Sequence, residues 1–409
     1  MKHDRPSQQN TAGIIRYSCG ILFMLFSFFY LFCLQGEILA EAEYVYSKGL
    51  NRYHLLMGAI IITAILQLVQ WAVSKLSQLP ANRHALSYIP SALLLAILTD
   101  IDRDTIQHFS FGPWVWIAPL IIIMYVALVI VVRTIHSSSD DAVTSVKSQI
   151  FPDFIIMFVL MLIVGWIPTS TDVYHYELKA ERLIMEKDYE GAARVGETSL
   201  RTSARLTQLR MYALSKMNQL PERIFEYPQY DGSKGLLDVT DTIPTYRFSP
   251  QNICFHLGAL CGPSVHSTDR FYNLVLNDSI WNQHTVDYYL CSLLLDKKLN
   301  TFCKKLEQYY LQNDSIDGEH AQLPKAYKEA LLLIGEPAAA AKGLIVVHHD
   351  SLTTVTDQEV IKRFNAYKEL KDEWPNQIER INKTHREFGD TYWWYYDFSH
   401  LAKGELQQR

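Results

Sequence analysis

Catalytic signatures are missing from this sequence. It has no Walker loop, no G-x-S-x-G elbow, no H-E-x-x-H pair and no dinucleotide fingerprint. Cysteine is sparse, at six residues, and no pair has the C-x-x-C spacing of a zinc or redox site. An excess of positive charge is also lacking: 38 Lys and Arg face 43 Asp and Glu. Binding a phosphate backbone needs a basic face, so nucleic acid is excluded as the main partner. With 18 Gly and 15 Pro, the chain is not a low-complexity, disordered one either.

What the sequence does have is long apolar runs, all in its first part. A bilayer core of about 30 Å takes roughly 20 apolar residues of helix. Ile14–Leu34, Tyr53–Val73, Trp114–Val132 and Ile150–Ile167 meet that test. Arg16 and Asp153 lie near enough to the ends of their segments to snorkel. A fifth stretch, Leu86–Leu98, is shorter; extended back to Ala81 it spans, with Arg83 and His84 at the headgroups. The other reading of that stretch is a re-entrant or interfacial helix. Gln35-Gly36-Glu37 is no signal-peptidase site, so the first segment reads as an uncleaved anchor. Inside the spans, Gln67 and Gln70 are the main polar exceptions.

Orientation follows from the distribution of basic residues. With five spans and a cytoplasmic N-terminus, Lys2, Arg5, Arg16, Lys75, Arg83, Arg133 and Lys147 fall inside. Only Lys48, Arg52 and Arg103 fall outside. The odd number then puts the C-terminal part in the periplasm. With four spans it is cytoplasmic.

The reading divides the chain into a transmembrane domain over 1–168, with spans near 14–34, 53–73, 81–99, 114–132 and 150–167, and a soluble domain over 170–409. The soluble part has helical periodicity with short breaks at Gly and Pro. Tyr176 and Ala180, a D-Y turn at Asp188-Tyr189, and Ala192 and Leu200 give the layout of a tetratricopeptide-type hairpin, whose second helix is expected to run to Leu200. Small residues at the crossing let two helix backbones approach closely. Leu206–Tyr227, turning at Gln219-Leu220-Pro221, and Trp281–Tyr310, turning at Asp296-Lys297-Lys298, read as further hairpins. Helices are also expected at Pro324–Ile334 and over Asp357–Phe388 with a break at Pro375. The expected fold class is all-α: a transmembrane bundle followed by an irregular, tetratricopeptide-like solenoid.

The stretches Ala213–Gln229 (ALSKMNQLPERIFEYPQ), Ser249–Leu260 (SPQNICFHLGAL), Leu323–Leu333 (LPKAYKEALLL) and Phe388–Phe398 (FGDTYWWYYDF) resemble a family of uncharacterised bacterial membrane proteins. Its members join a multi-span N-terminal half to a helical-repeat C-terminal half. The resemblance implies that fold and an inner-membrane location. It implies no activity and no catalytic residues.

Candidate sites are few. Asp100, Asp102 and Asp104 lie in an outer loop where membrane glycosyltransferases of the lipid-phosphate-sugar type place a carboxylate, but those enzymes usually have more spans, and the three read first as a solvated acidic loop and helix cap. His348-His349-Asp350 has two metal-ligand types but no clustered third group, so it reads as loop surface. Cys254 and Cys261, seven apart on one helix, would sit about 10 Å apart and so could not bridge. Pairing of these with Cys291 or Cys303, or four buried thiols, are the alternatives. The run Tyr392-Trp393-Trp394-Tyr395-Tyr396 with Phe398 is either an anchor for a membrane or a partner, or the closing end of the helical stack. The sequons Asn277-Asp278-Ser279, Asn313-Asp314-Ser315 and Asn382-Lys383-Thr384 have meaning only in a secretory-pathway host. No catalytic, cofactor-binding or metal-ligating residue is assigned. The expected partners are the bilayer and a protein docking on the helical domain. The expected role is a membrane-anchored scaffold, with a membrane enzyme or transporter component as the alternative.

Overall fold

A computed structural model describes residues 5–101, 111–137, 146–167, 172–238, 247–261, 267–277, 282–311, 323–335 and 358–405. Its regular elements are all helical, and no strand occurs among the described residues. The chain divides into two compact units, Met1–His175 and Tyr176–Arg409.

The first unit holds α1 (Arg5–Phe29, continued by a π turn over Tyr30–Leu34), α2 (Gly36–Tyr46), α3 (Leu55–Ser77), a 3-10 segment (Ala81–Tyr88), α4 (Ile89–Thr99), α5 (Trp114–Ser137) and α6 (Val146–Trp166). Three of its helical stretches are long and apolar enough to cross a membrane: Gly13–Leu34, Leu55–Ser77 and Trp114–Ile135. Arg83–Thr99 and Phe151–Trp166 are shorter apolar helices. The core joins Ile15, Cys19 and Phe23 of α1 to Leu66 of α3, Tyr88, Leu95 of α4 and Met157 of α6. The outer faces are just as apolar; Trp116, Ile123 and Phe158 stand more than 60% exposed. A water-soluble protein rarely shows so much apolar surface, whereas acyl chains cover it without cost.

Because lipid tails are as apolar as leucine, burial alone does not hold such helices together; packing and interhelical hydrogen bonds do. Those bonds are present. Gln67 donates to the Gly20 carbonyl at 3.0 Å and Gln70 to Ser87 Oγ at 2.9 Å. Ser91 donates to the Leu66 carbonyl at 2.9 Å, and Tyr30 to the Val164 carbonyl at 3.2 Å. The two glutamines that interrupt the apolar pattern are thus the ties from α3 to α1 and to the 3-10 segment. Asp153 does not snorkel. It is fully buried, and its Oδ1 accepts the Ala85 backbone N–H at 2.9 Å, just past the kink at Arg83 in the 3-10 segment. Arg16 is exposed.

The second unit runs from α7 (Asp172–Met185) through α8 (Tyr189–Arg194), α9 (Ala204–Lys216), α10 (Leu220–Arg223), α11 (Pro250–His256), α12 (Thr268–Asn277), α13 (Gln283–Leu295), α14 (Leu299–Leu306), α15 (Lys325–Ile334), α16 (Gln358–Glu373) and α17 (Gln377–Phe388) to α18 (Tyr392–Glu405). The turns α7–α8, α9–α10 and α13–α14 share one construction. Each has three residues with a left-handed middle one: Lys187 (φ 65°), Asn218 (φ 58°) and Lys297 (φ 58°). In each, the third residue's N–H closes on a carbonyl five positions back: Asp188 to Leu183, Gln219 to Leu214, Lys298 to Leu293, at 2.8–2.9 Å. This is the Schellman closure, which satisfies carbonyls that a helix end leaves open. Asp188 then accepts the Gly191 N–H at 2.9 Å and starts α8. A Cβ at Gly191 would meet that carboxylate at 2.3 Å. Ala180, Ala192 and Ala193 are fully buried.

One boundary differs from the expectation. The second helix of the first hairpin stops at Arg194 instead of running to Leu200. Val195 is extended, and Gly196 takes φ +69°, where a Cβ would meet Arg210 at 2.8 Å and Tyr176 at 3.1 Å. The break expected at Pro375 separates α16 from α17.

Candidate functional site

The aromatic run forms core rather than a docking anchor. Tyr392, Trp393, Trp394, Tyr395 and Phe398 are buried, and only Tyr396 of the run is partly open. They are buried because α18 is enclosed on several sides. Phe225 packs on Tyr392 and Tyr395 with centroids 5.4 and 5.2 Å away. Phe364 packs on Trp393 at 4.8 Å, and His385 on Trp394 at 4.5 Å.

Between α18 and the chain that follows α8 and α10 lies a cleft of about 350 Å³. One wall is the segment after α8, with Glu197, Ser199 and Leu200. A second is Tyr227 and Tyr230, after α10. The third is His385, Arg386 and Asp390, before α18. Arg210 ties the first two walls. It is fully buried; its Nε donates to the Val195 carbonyl at 2.9 Å, and its guanidinium lies 4.6 Å from the Tyr227 ring centroid. Burial lowers its pKa to about 10, so it keeps its charge at neutral pH. The third wall is fixed by ion pairs from Asp390 to Arg363 at 2.6 Å and to Lys325 at 2.7 Å. Burial pushes the Asp390 carboxyl up, but the hydrogen bonds from Arg363 and Lys325 outweigh it and hold it below its ordinary range. Burial lowers His385, leaving it neutral at pH 7. The cleft therefore offers Tyr230, with the almost wholly buried Tyr227 and Tyr395 behind it, an exposed acidic side (Glu197, Glu226) and one exposed cation, Arg386. Such a lining can hold an extended polypeptide by hydrogen bonds and ring contacts.

Cys254 and Cys261 are bonded to each other, Cα to Cα 5.8 Å apart. The 10 Å separation assumed one continuous helix. Instead α11 ends at His256, and Gly258 at φ +97° turns the chain back. Cys291 and Cys303 are free and buried. Asp100 accepts the Trp114 indole N–H at 2.8 Å. Asp102, Asp104 and the His348-His349-Asp350 triplet lie outside the described residues, as do the whole sequon at Asn313 and part of the one at Asn277. Among the described residues no three His, Cys, Asp or Glu side chains converge as a metal site would need.

Some groups could not be found from spacing at all. Glu329 is 1% exposed, accepts the Tyr392 N–H at 2.7 Å and is pushed by burial up to about 7. Burial likewise raises Asp287 to about 6, against hydrogen bonds from Tyr310, Tyr327 and Gln283. His256 and His284 meet at a tilt with centroids 4.4 Å apart beside Ser215; burial, then Lys216 and His284, pushes His256 down to about 3. Apart from Gln283 beside Asp287 and Lys325 beside Glu329, each one helical turn away, their partners lie 23 to 69 residues off in sequence, and no motif announces them.

The model of a family of unknown function, DUF6057, matches residues 107–261 and 263–399. The chain belongs to this family. The DUF6057 match takes in α5, α6, the three repeated turns and every wall of the cleft, and it leaves α1 to α4 outside. No curated protein matches the chain, and no solved structure does.

Proposed function

We propose that this DUF6057 protein is a membrane-anchored helical-repeat scaffold, and that its helical unit binds a protein partner on the outer side of a bacterial inner membrane. The cleft walled by Leu200, Tyr230 and Arg386 carries the reading: it is a preformed recess with ring faces and one exposed cation. Three turns of one construction support a tetratricopeptide-like solenoid, in which hairpins stack and leave a concave surface for a partner. Five spans fit the lengths. Ala81–Thr99 kinks at Arg83 (φ −134°); from His84 to Thr99, at about 2.0 Å per 3-10 residue and about 1.5 Å per α residue, it rises roughly 26 Å, close to the thickness of the hydrocarbon core. Five spans with a cytoplasmic N-terminus place the helical unit in the periplasm. The Cys254–Cys261 bond supports that side, since disulfides persist in oxidising compartments.

The alternative, a glycosyltransferase-like enzyme or transporter component built on the acidic loop, gains nothing from Asp100, whose carboxylate is engaged by Trp114.

A benzophenone side chain at Leu200, on the cleft rim, tests the reading in living cells. It is expected to give one discrete protein adduct, reduced at least five-fold by Arg386→Glu. The same probe at Leu274, exposed on α12 away from the cleft, is expected to give none. Equal labelling from both positions, or none from Leu200, would sink the proposal.

A further inference from the structure

A groove of about 830 Å³ runs between α1 and α3. Its walls are Met24, Leu25 and Phe28 on one side and Ile60, Leu68 and Trp71 on the other. The two helices are antiparallel: Gly36 abuts Leu55, and Gly20 accepts from Gln67. From Ile60 to Trp71 the groove extends about 16 Å along the helix, close to half of a hydrocarbon core of about 30 Å. At the Trp71 end, Lys75 holds its ammonium 3.9 Å from the indole centroid. Its polar atoms are few, and the Gln67 amide is already committed to α1.

Both helices are among the three long enough to cross a membrane, so this groove faces hydrocarbon. Water does not fill it there; an acyl chain or another helix does. The walls decide between these. Membrane helices dock through small residues that let backbones approach. Here most wall residues are long and flexible or aromatic, with Thr63 and Ala64 the two small ones. Such walls suit a chain that bends, and a cation over an indole at one leaflet's depth suits an anionic headgroup.

We propose that the α1–α3 groove is a site for one anionic phospholipid. An acyl chain lies along Met24, Phe28, Ile60 and Leu68, and the phosphate pairs with Lys75 beside Trp71. No covalent step is involved. The lipid completes the surface of a helix pair that the family match leaves outside, and it ties the α3 end to one leaflet.

The test is native mass spectrometry of the full chain, released from bilayers of phosphatidylglycerol and phosphatidylethanolamine and washed with delipidating detergent. The parent is expected to keep about one lipid per chain, with phosphatidylglycerol favoured at least five-fold. Lys75→Gln should bring that preference close to unity. Ala64→Trp, which fills the groove, should lower retention about ten-fold. Since the bulky variant can perturb folding, occupancy is also read in the unaltered groove. The Trp71 emission, taken as the difference between the parent and Trp71→Phe, should be quenched more strongly by brominated phosphatidylglycerol than by the brominated ethanolamine lipid. Failure to retain lipid, retention with no headgroup preference, or equal quenching by both lipids overturns the proposal. So does efficient dimer crosslinking through Met24→Cys in bilayers, which would make the groove a helix-docking face.

Discussion

Trp393→Ala is expected to cost the helical unit about 3–5 kcal/mol, the range for emptying a large aromatic from a packed core. Trp393 is fully buried, packs on Phe364 and on Tyr367, and donates its indole N–H to the Glu329 carbonyl at 2.8 Å. Truncation removes this apolar contact area and leaves a cavity where α15, α16 and α18 meet. A domain has only about 5–15 kcal/mol in hand, so the variant should unfold at much lower urea or temperature. Phe255→Ala is the control: Phe255 is 73% exposed, and its loss should stay within about 0.5 kcal/mol. Near-UV circular dichroism of the full chain in detergent reads both. A Trp393 variant as stable as the control would contradict the assignment of the aromatic run to the core.

The second large effect depends on pH. Burial raises Glu329 from 4.5 to about 7, although Lys325 approaches its carboxylate at 4.0 Å. Between these values the folded protein holds a proton that the unfolded chain has released. Stability attributable to this group is therefore greatest below about pH 4.5 and falls as pH rises towards and past 7. The shift amounts to about 3 kcal/mol on the linkage scale, an upper figure for what ionisation costs. Glu329→Gln keeps an oxygen for the Tyr392 N–H and cannot ionise. It should leave stability at pH 5 nearly unchanged and raise it by about 1–3 kcal/mol at pH 8.5. Urea midpoints for parent and variant at the two pH values measure this. Parallel pH profiles would show that Glu329 does not titrate in this window.

How much of this was legible in the sequence depends on the distance between cause and residue. The apolar helices could be read because composition alone makes them, and Gln67 and Gln70 stood out because polar groups are expensive there. Their roles could not be read, since their acceptors lie on other helices. Asp153 looked like a snorkelling end residue because sequence gives depth along a helix and not the neighbour; the backbone N–H it binds is 68 residues away. The hairpin turns were visible as polar interruptions between apolar helices. Their shared left-handed residue was not, because lysine, unlike asparagine, rarely takes that conformation. The disulfide was ruled out by assuming that one helix runs through both cysteines, and a single glycine overturned that. The aromatic run was ambiguous because the burial of its rings depends on residues from Phe225 to His385 that folding alone brings together. The cleft was invisible for the same reason: its walls come from three stretches of chain, joined by Arg210 and by the ion pairs of Asp390.

The central claim is that apolar segments carry a helical binding unit to the outer side of the membrane. Paired topology reporters fused after Arg409 test it most directly, one active only outside the cytoplasm and one only inside. The account predicts an active external reporter and a silent internal one. An active internal reporter would contradict it: Leu86–Leu98 would not cross, and the helical unit with its Cys254–Cys261 pair would lie in the cytoplasm.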